Sequence, residues 1–123
     1  MNTQEMLLAF HSALGENMGR GGAELRKTLH EEENKELIDE LDFDDVFIMR
    51  EPLARELADV VYVCYGTAHA FGINLDEAIK EVHRAAMSKI DPAVRVTRED
   101  GKILKPKGFI PPNMSRAIYP QEI

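Results

Sequence analysis

Two pairs of acids stand out by type and spacing. Glu33 and Glu36 lie three residues apart, and so do Glu56 and Asp59. Residues three apart on a helix project from the same side, so each pair can offer two carboxylates to one point. If the two segments are helices packed antiparallel, four carboxylates converge. An all-oxygen donor set selects a hard cation, Mg²⁺ or Mn²⁺. Mg²⁺ held by a few carboxylates keeps open positions for water and substrate phosphates. The two pairs differ in their surroundings. Glu33 and Glu36 belong to a charged run that would also describe a solvated helix face. Between Glu56 and Gly72 the only formally charged residues are Glu56 and Asp59, set in an apolar stretch. Burying an unpaired carboxylate costs on the order of several kcal/mol. That pair therefore needs a counter-charge: Arg55, a basic residue from elsewhere in the chain, or a metal ion.

Other chemistries fail on spacing. His30-Glu31 does not extend to a zinc-protease motif, because residue 34 is Asn. A di-iron bundle wants a His three residues after a Glu, and neither Glu77 nor Glu81 has one. The glycines of 15–22 are not followed by the Lys-Ser/Thr of a phosphate-binding loop. The single cysteine, Cys64, excludes a disulfide framework and a Cys-based zinc site.

Four helical segments must position the acids. Residues 3–14 carry Met6, Leu7, Phe10 and Leu14 at helical spacing, with Thr3 as the expected N-cap and Gly15 as the stop. Residues 15–22 hold four glycines and read as a loop. A second helix over 23–41 has an apolar stripe of Leu25, Leu29, Leu37 and Leu41 in an otherwise charged sequence. Residues 42–50 read as a connection that tucks in Val46, Phe47 and Ile48. A third helix starts near Pro52 and runs to Phe71, closed by Gly72. It is apolar nearly all round, as expected of a central helix or a subunit interface. A fourth helix follows the N-cap Asn74, carries Asp76 and Glu77 in its first turn, and ends near Lys89–Ile90. Beyond Asp91-Pro92, residues 94–105 alternate around Asp100-Gly101, a hairpin signal. The tail 106–123, with four prolines, reads as an extended arm.

The expected fold is all-α: a four-helix bundle in one domain, 1–123, with a helical core over 1–90 and a C-terminal hairpin and arm over 91–123. At 123 residues, 44% hydrophobic and 30% charged, the composition is globular. A net charge of −7 and a pI near 5.1 disfavour a nucleic-acid partner. No apolar run is long enough to span a bilayer, and Met1–Glu5 does not read as a secretory signal. The expectation is a cytoplasmic protein. A helix apolar all round is hard to enclose with three others, so a homodimer or dimer of dimers is expected.

The acid pattern has a family likeness. Glu32-Glu33-Asn34-Lys35-Glu36, then 19 residues, then Glu56-Leu57-Ala58-Asp59 resembles the signature of the all-α, MazG-like nucleoside triphosphate pyrophosphohydrolases. That group includes dimeric dUTPases, dCTP pyrophosphatases and phosphoribosyl-ATP pyrophosphohydrolases. The likeness extends to 56–72, 81–89 and the arm 98–112. It implies Glu33, Glu36, Glu56 and Asp59 as Mg²⁺ ligands. It also implies Glu32 as a supporting or water-positioning residue, so that Glu32 and Glu33 serve the catalytic step. The family's fourth helix carries an Asn where Ala85 and Ala86 stand here, whereas Lys89 matches. The implied reaction converts an NTP or dNTP to the NMP and pyrophosphate. Arg84, Lys89, Lys102 and Lys105 are the expected phosphate-binding residues. His11 is a candidate for the base pocket, set against its reading as a partly exposed histidine with no ligand. Two alternatives stand beside this: a non-catalytic helical interaction or structural metal-binding module, and, within the enzyme class, a phosphoribosyl-ATP pyrophosphohydrolase.

Overall fold

The computed structural model describes residues 1–15, 22–42 and 50–120. The expected loop over 15–22 and the tucked connection over 42–50 fall largely outside these residues. Four α-helices account for most of the described chain: α1 Thr3–Leu14, α2 Gly22–Leu41, α3 Arg50–Ala70 and α4 Leu75–Lys89. Among the described residues the only sheet is an antiparallel pair of two-residue strands, β1 Val96–Thr97 and β2 Ile103–Leu104. The class is all-α, as the sequence indicated.

Helix ends follow their local chemistry. The N-cap of α1 is Asn2, not Thr3: the Asn2 side-chain oxygen accepts from the Glu5 amide at 2.9 Å, which makes Thr3 the first helical residue. Gly15 ends α1 in the left-handed region, at φ 78°, and its amide reaches back to the His11 and Ser12 carbonyls. α3 begins at Arg50, two residues before Pro52. A proline in the first turn is tolerated there because those amides have no intrahelical acceptor. Asn74 caps α4 by accepting from the Glu77 amide at 3.2 Å.

The described chain forms two compact units, Met1–Ile73 and Asn74–Ile123. In the first, α3 packs against both α2 and α1. Leu7 is its most enclosed large side chain, 2% exposed, with Tyr65, Ala68 and Ala70 also buried. The small residues on α3 let its neighbours approach closely. The leucine stripe expected on α2 is not what fills the α2–α3 seam. Leu25 and Leu41 are exposed, Leu29 and Leu37 are half-buried, and the buried residue of α2 is Arg26. On α3, Leu57, Val61 and Tyr62 remain exposed, and on α1 so do Met6, Leu8, Phe10 and Leu14.

In the second unit, the arm runs along α4. The Asn74 amide donates to the Ala117 carbonyl at 2.6 Å, and the short 3-10 turn Ser115–Ala117 packs on α4. The hairpin turns at Arg98–Gly101, with Gly101 at φ 91°, a conformation that favours glycine. Asp100 holds this turn by accepting from Arg98 and from the Lys102 amide.

Candidate metal centre

Helices α2 and α3 bring the two acid pairs together. Glu33, Glu36, Glu56 and Asp59 each present a carboxylate oxygen, and these oxygens all lie within 4.8 Å of one another. Glu33, Glu56 and Asp59 are half-buried and Glu36 is exposed. One oxygen each of Glu33 and Glu56 is sealed from solvent and has no hydrogen-bond partner. Arg55, one of the three candidate counter-charges, forms no ion pair with Glu56 or Asp59. Among the described residues, no ion pair reaches any of the four acids.

The electrostatic consequence is visible in two of them. Glu33 is held above the ordinary carboxylate range, first by burial and then by the charges of Glu36, Asp59 and Glu56. Glu56 is raised too, by burial and then by its close approach to Glu36, with Asp59 adding and Arg55 partly offsetting. Four like-charged groups gathered in a half-buried spot, with no ion pair among the described residues and only Arg55 offsetting them in part, are unfavourable alone and suited to a divalent cation. Orphaned oxygens and an all-carboxylate donor set are the chemistry that suits a hard cation such as Mg²⁺ or Mn²⁺. Glu32 is exposed and lies outside this cluster.

A second polar group, which the sequence did not single out, fills the same seam. Arg26 is 8% exposed; its Nε donates to Thr67 Oγ1 and its Nη2 to the Val63 carbonyl, both at 2.9 Å. His30 Nε2 lies 2.7 Å from the same Thr67 hydroxyl. His11 is not partly exposed as expected: it is buried, 4% exposed, with its ring edge-on to His69 at 4.9 Å between centroids. The available signal was Arg26 and His30 at i, i+4, with His30 one turn before Glu33. Glycine and threonine side by side in the middle of α3, at Gly66 and Thr67, were its counterpart.

The remaining expected residues lie in the second unit. Lys89 and Lys105 both approach the Phe109 ring, with Nζ at 6.0 and 5.9 Å from its centroid. Neither ammonium has a carboxylate partner among the described residues. Arg84 is engaged within the unit. Its Nε donates to Glu81 at 2.9 Å, and its Nη2 donates to the carbonyls of Ile110 and Pro111 at 3.3 and 3.2 Å. Glu81 in turn accepts from the Asn113 amide at 3.0 Å, and these contacts hold its carboxyl below the usual range. Lys102 is exposed beside the hairpin turn.

The family model described as phosphoribosyl-ATP pyrophosphohydrolase matches residues 10–86. The match takes in all of α2 and α3, and with them all four clustered acids. No curated protein matches the chain.

Proposed function

The chain belongs to the phosphoribosyl-ATP pyrophosphohydrolase family, and from that premise we propose that it is a Mg²⁺-dependent hydrolase that converts a nucleoside triphosphate to the monophosphate and pyrophosphate. One observation carries the reading: four carboxylates gathered within 4.8 Å, with no ion pair to a basic side chain among the described residues. Family membership supports a nucleotide pyrophosphohydrolase; the metal and the triphosphate are our assignment. The family's own description keeps phosphoribosyl-ATP as the second substrate to test.

Glu33, Glu36, Glu56 and Asp59 would hold the cation, with Mn²⁺ as an alternative occupant. When bound, the ion would neutralise phosphate charge and lower the pKa of a coordinated water. The chain's own residues set the rest. In hydrolysis, a water oxygen bonds to the α-phosphorus and the α–β bridging bond breaks, so pyrophosphate leaves. A carboxylate must take the water's proton, and the exposed Glu32, adjacent in sequence to Glu33, is assigned to position that water. In the second unit, Lys89 and Lys105 are assigned to polyphosphate charge, since among the described residues neither pairs with a carboxylate and both approach the Phe109 ring. Lys102, Arg84 and His11 complete the assigned substrate-binding set. Arg84 supports the arm through its contacts to Ile110 and Pro111.

The apolar residues exposed on α1 and α3 support a homodimer or a dimer of dimers. Among the described residues, no helix is long and apolar enough to cross a membrane. A nucleotide substrate and the acidic surface support a cytoplasmic enzyme with no nucleic-acid partner.

The test is pyrophosphate release from a panel of NTPs, dNTPs and phosphoribosyl-ATP, with Mg²⁺, Mn²⁺ or EDTA, beside Glu56→Ala. The expected result is metal-dependent release of monophosphate and pyrophosphate that the variant loses. No release from any nucleotide, in a protein whose melting temperature Mg²⁺ does raise, would favour a structural metal-binding bundle. No release and no Mg²⁺ effect would favour a helical interaction module.

A further inference from the structure

We propose that Arg26 is a positioning residue for the carboxylate centre: it locks the axial register of α2 on α3 through Thr67 and the Val63 carbonyl, with Gly66 as the slot that admits it. The inference rests on the metal reading of the four acids.

The argument begins with the direction of the seam. Along α2, Arg26, His30, Glu33 and Glu36 follow one another at one-turn steps. Along α3, read backwards, the corresponding order is Thr67, Val63, Asp59 and Glu56. Arg26 bonds to Thr67 and Val63, and the acids meet farther along the same antiparallel face. Glu33 is seven residues from Arg26, about two turns or roughly 10 Å.

Convergence within 4.8 Å tolerates little slip. Moving α2 by one residue shifts its side chains by about 1.5 Å along the axis and by about 100° around it, since a turn holds 3.6 residues. A leucine seam resists such slip only through shape, and the leucines of α2 are half-buried or exposed. Arg26 resists it through direction. Its two donors grip oxygens one helical turn apart on α3, at Thr67 and Val63, so a slide in either direction breaks a bond. Thr67 Oγ1 accepts from Arg26 Nε, and the hydroxyl's own proton is free to be donated to His30 Nε2. One hydroxyl thus ties two successive turns of α2 to α3.

Gly66 makes the grip feasible. A Cβ at this position would stand 2.6 Å from Arg26 Nη2, 3.4 Å from its Cζ and 3.3 Å from His11 Nε2. The guanidinium lies where any other side chain would begin. The lock also opposes a specific load: without a cation, four neighbouring carboxylates repel one another and push α2 away from α3.

The test is Mn²⁺ binding, followed by the electron-spin resonance of free Mn²⁺ well below the melting temperature of each variant. The proteins are the wild type, Glu56→Gln, Thr67→Val, Thr67→Ser, Gly66→Ala and Leu7→Ala. Thr67→Val keeps the volume and removes the hydroxyl, and should raise the Mn²⁺ dissociation constant about tenfold, the low end for a residue that supports a metal ligand indirectly. Gly66→Ala should do the same by displacing the guanidinium. Thr67→Ser should retain wild-type affinity, because the hydroxyl is restored. Leu7→Ala weakens the core at a residue of α1 that takes no part in the Arg26, Thr67 and Val63 hydrogen bonds, so it should lower the melting temperature while Mn²⁺ affinity stays within about twofold. Wild-type affinity in Thr67→Val would overturn the inference and leave the metal centre standing. Equal weakening in Leu7→Ala would overturn it too, because general softening would then suffice. A wild type with no Mn²⁺ site sensitive to Glu56→Gln would overturn the metal reading, and this inference with it.

Discussion

Replacing Glu56 with glutamine should have opposite effects without and with a divalent cation. Without one, the substitution removes a charge from a group of four acids that form no ion pair among the described residues, and the melting temperature should rise. With Mg²⁺ or Mn²⁺, the wild type gains and the variant gains little. A cation at a hundredfold excess over its dissociation constant stabilises the folded state by about 2.7 kcal/mol. Unfolding entropy of ~2.1 cal/mol/K per residue gives about 0.26 kcal/mol/K for 123 residues. The wild-type melting temperature should therefore climb by about 10 °C in saturating cation. If losing one ligand weakens binding about a hundredfold, the variant should gain less than about 2 °C at the same concentration.

The pH dependence follows from the direction of the shifts. Glu33 and Glu56 hold their protons to higher pH in the folded protein than the ordinary 4.5 of the unfolded chain. Between those values the folded state binds more protons than the unfolded one, so their contribution is fully present below pH 4.5 and is lost as pH rises through the raised values. Relative to a Glu33→Gln, Glu56→Gln double variant, the cation-free wild type should lose stability from about pH 4.5 toward neutrality, and Mg²⁺ should flatten that difference. Thermal melts by circular dichroism in EDTA, Mg²⁺ and Mn²⁺ across this range provide the measurement. A wild type indifferent to cations, or a variant that gains as much as the wild type, would refute the reasoning.

Leu7→Ala, at the most enclosed large side chain of the first unit, should cost about 2–5 kcal/mol. In a chain of 123 residues that is a fall of roughly 8 to 19 °C in melting temperature. Lys89→Gln combined with Lys105→Gln should raise KM about tenfold and change kcat by less than about threefold, as loss of uniform phosphate binding does; a kcat effect alone would count against the assignment. Asp100→Asn should open the hairpin turn, seen as faster amide hydrogen exchange at Lys102, whose N–H Asp100 accepts. Acid should act in the same direction. The Asp100 carboxyl is held low by Arg98 first and the Lys102 amide second, so its support is present above the ordinary aspartate range and lost as pH falls through the depressed value.

The parts of the fold that the sequence revealed are those whose chemistry is local. Gly15 and Asn74 act on amides and carbonyls within a turn of themselves, so the limits of α1 and α4 could be read directly. Thr3 and Asn2 are both competent caps, and which of them caps is decided by one backbone turn that composition does not encode. The i, i+3 spacing of each acid pair was equally local, and the apolar context of Glu56 and Asp59 signalled that they needed a partner. That Arg55 offsets Glu56 only in part and closes no ion pair is a tertiary fact, since an exposed arginine is not obliged to bond its neighbour.

The α2–α3 seam was not legible, and the reason is specific. α2 carries charge on every side, so its leucines were the natural choice for a buried stripe. The face that turns inward is settled by what α3 offers: a missing Cβ at Gly66, a hydroxyl at Thr67 and a carbonyl at Val63. None of these signals anything until Arg26 is set against it. Polar groups in a helix–helix seam need satisfied partners or they destabilise it, and a seam selected for stability alone would carry leucine there. Here the polar filling is continuous in character along one face. It is bonded at the Arg26 end, and it is orphaned at the Glu33 and Glu56 end. Local rules fail where a function imposes its own demand. On the reading proposed above, the bonded end fixes where α2 lies on α3, so that the unbonded end can hold four acids together for a cation.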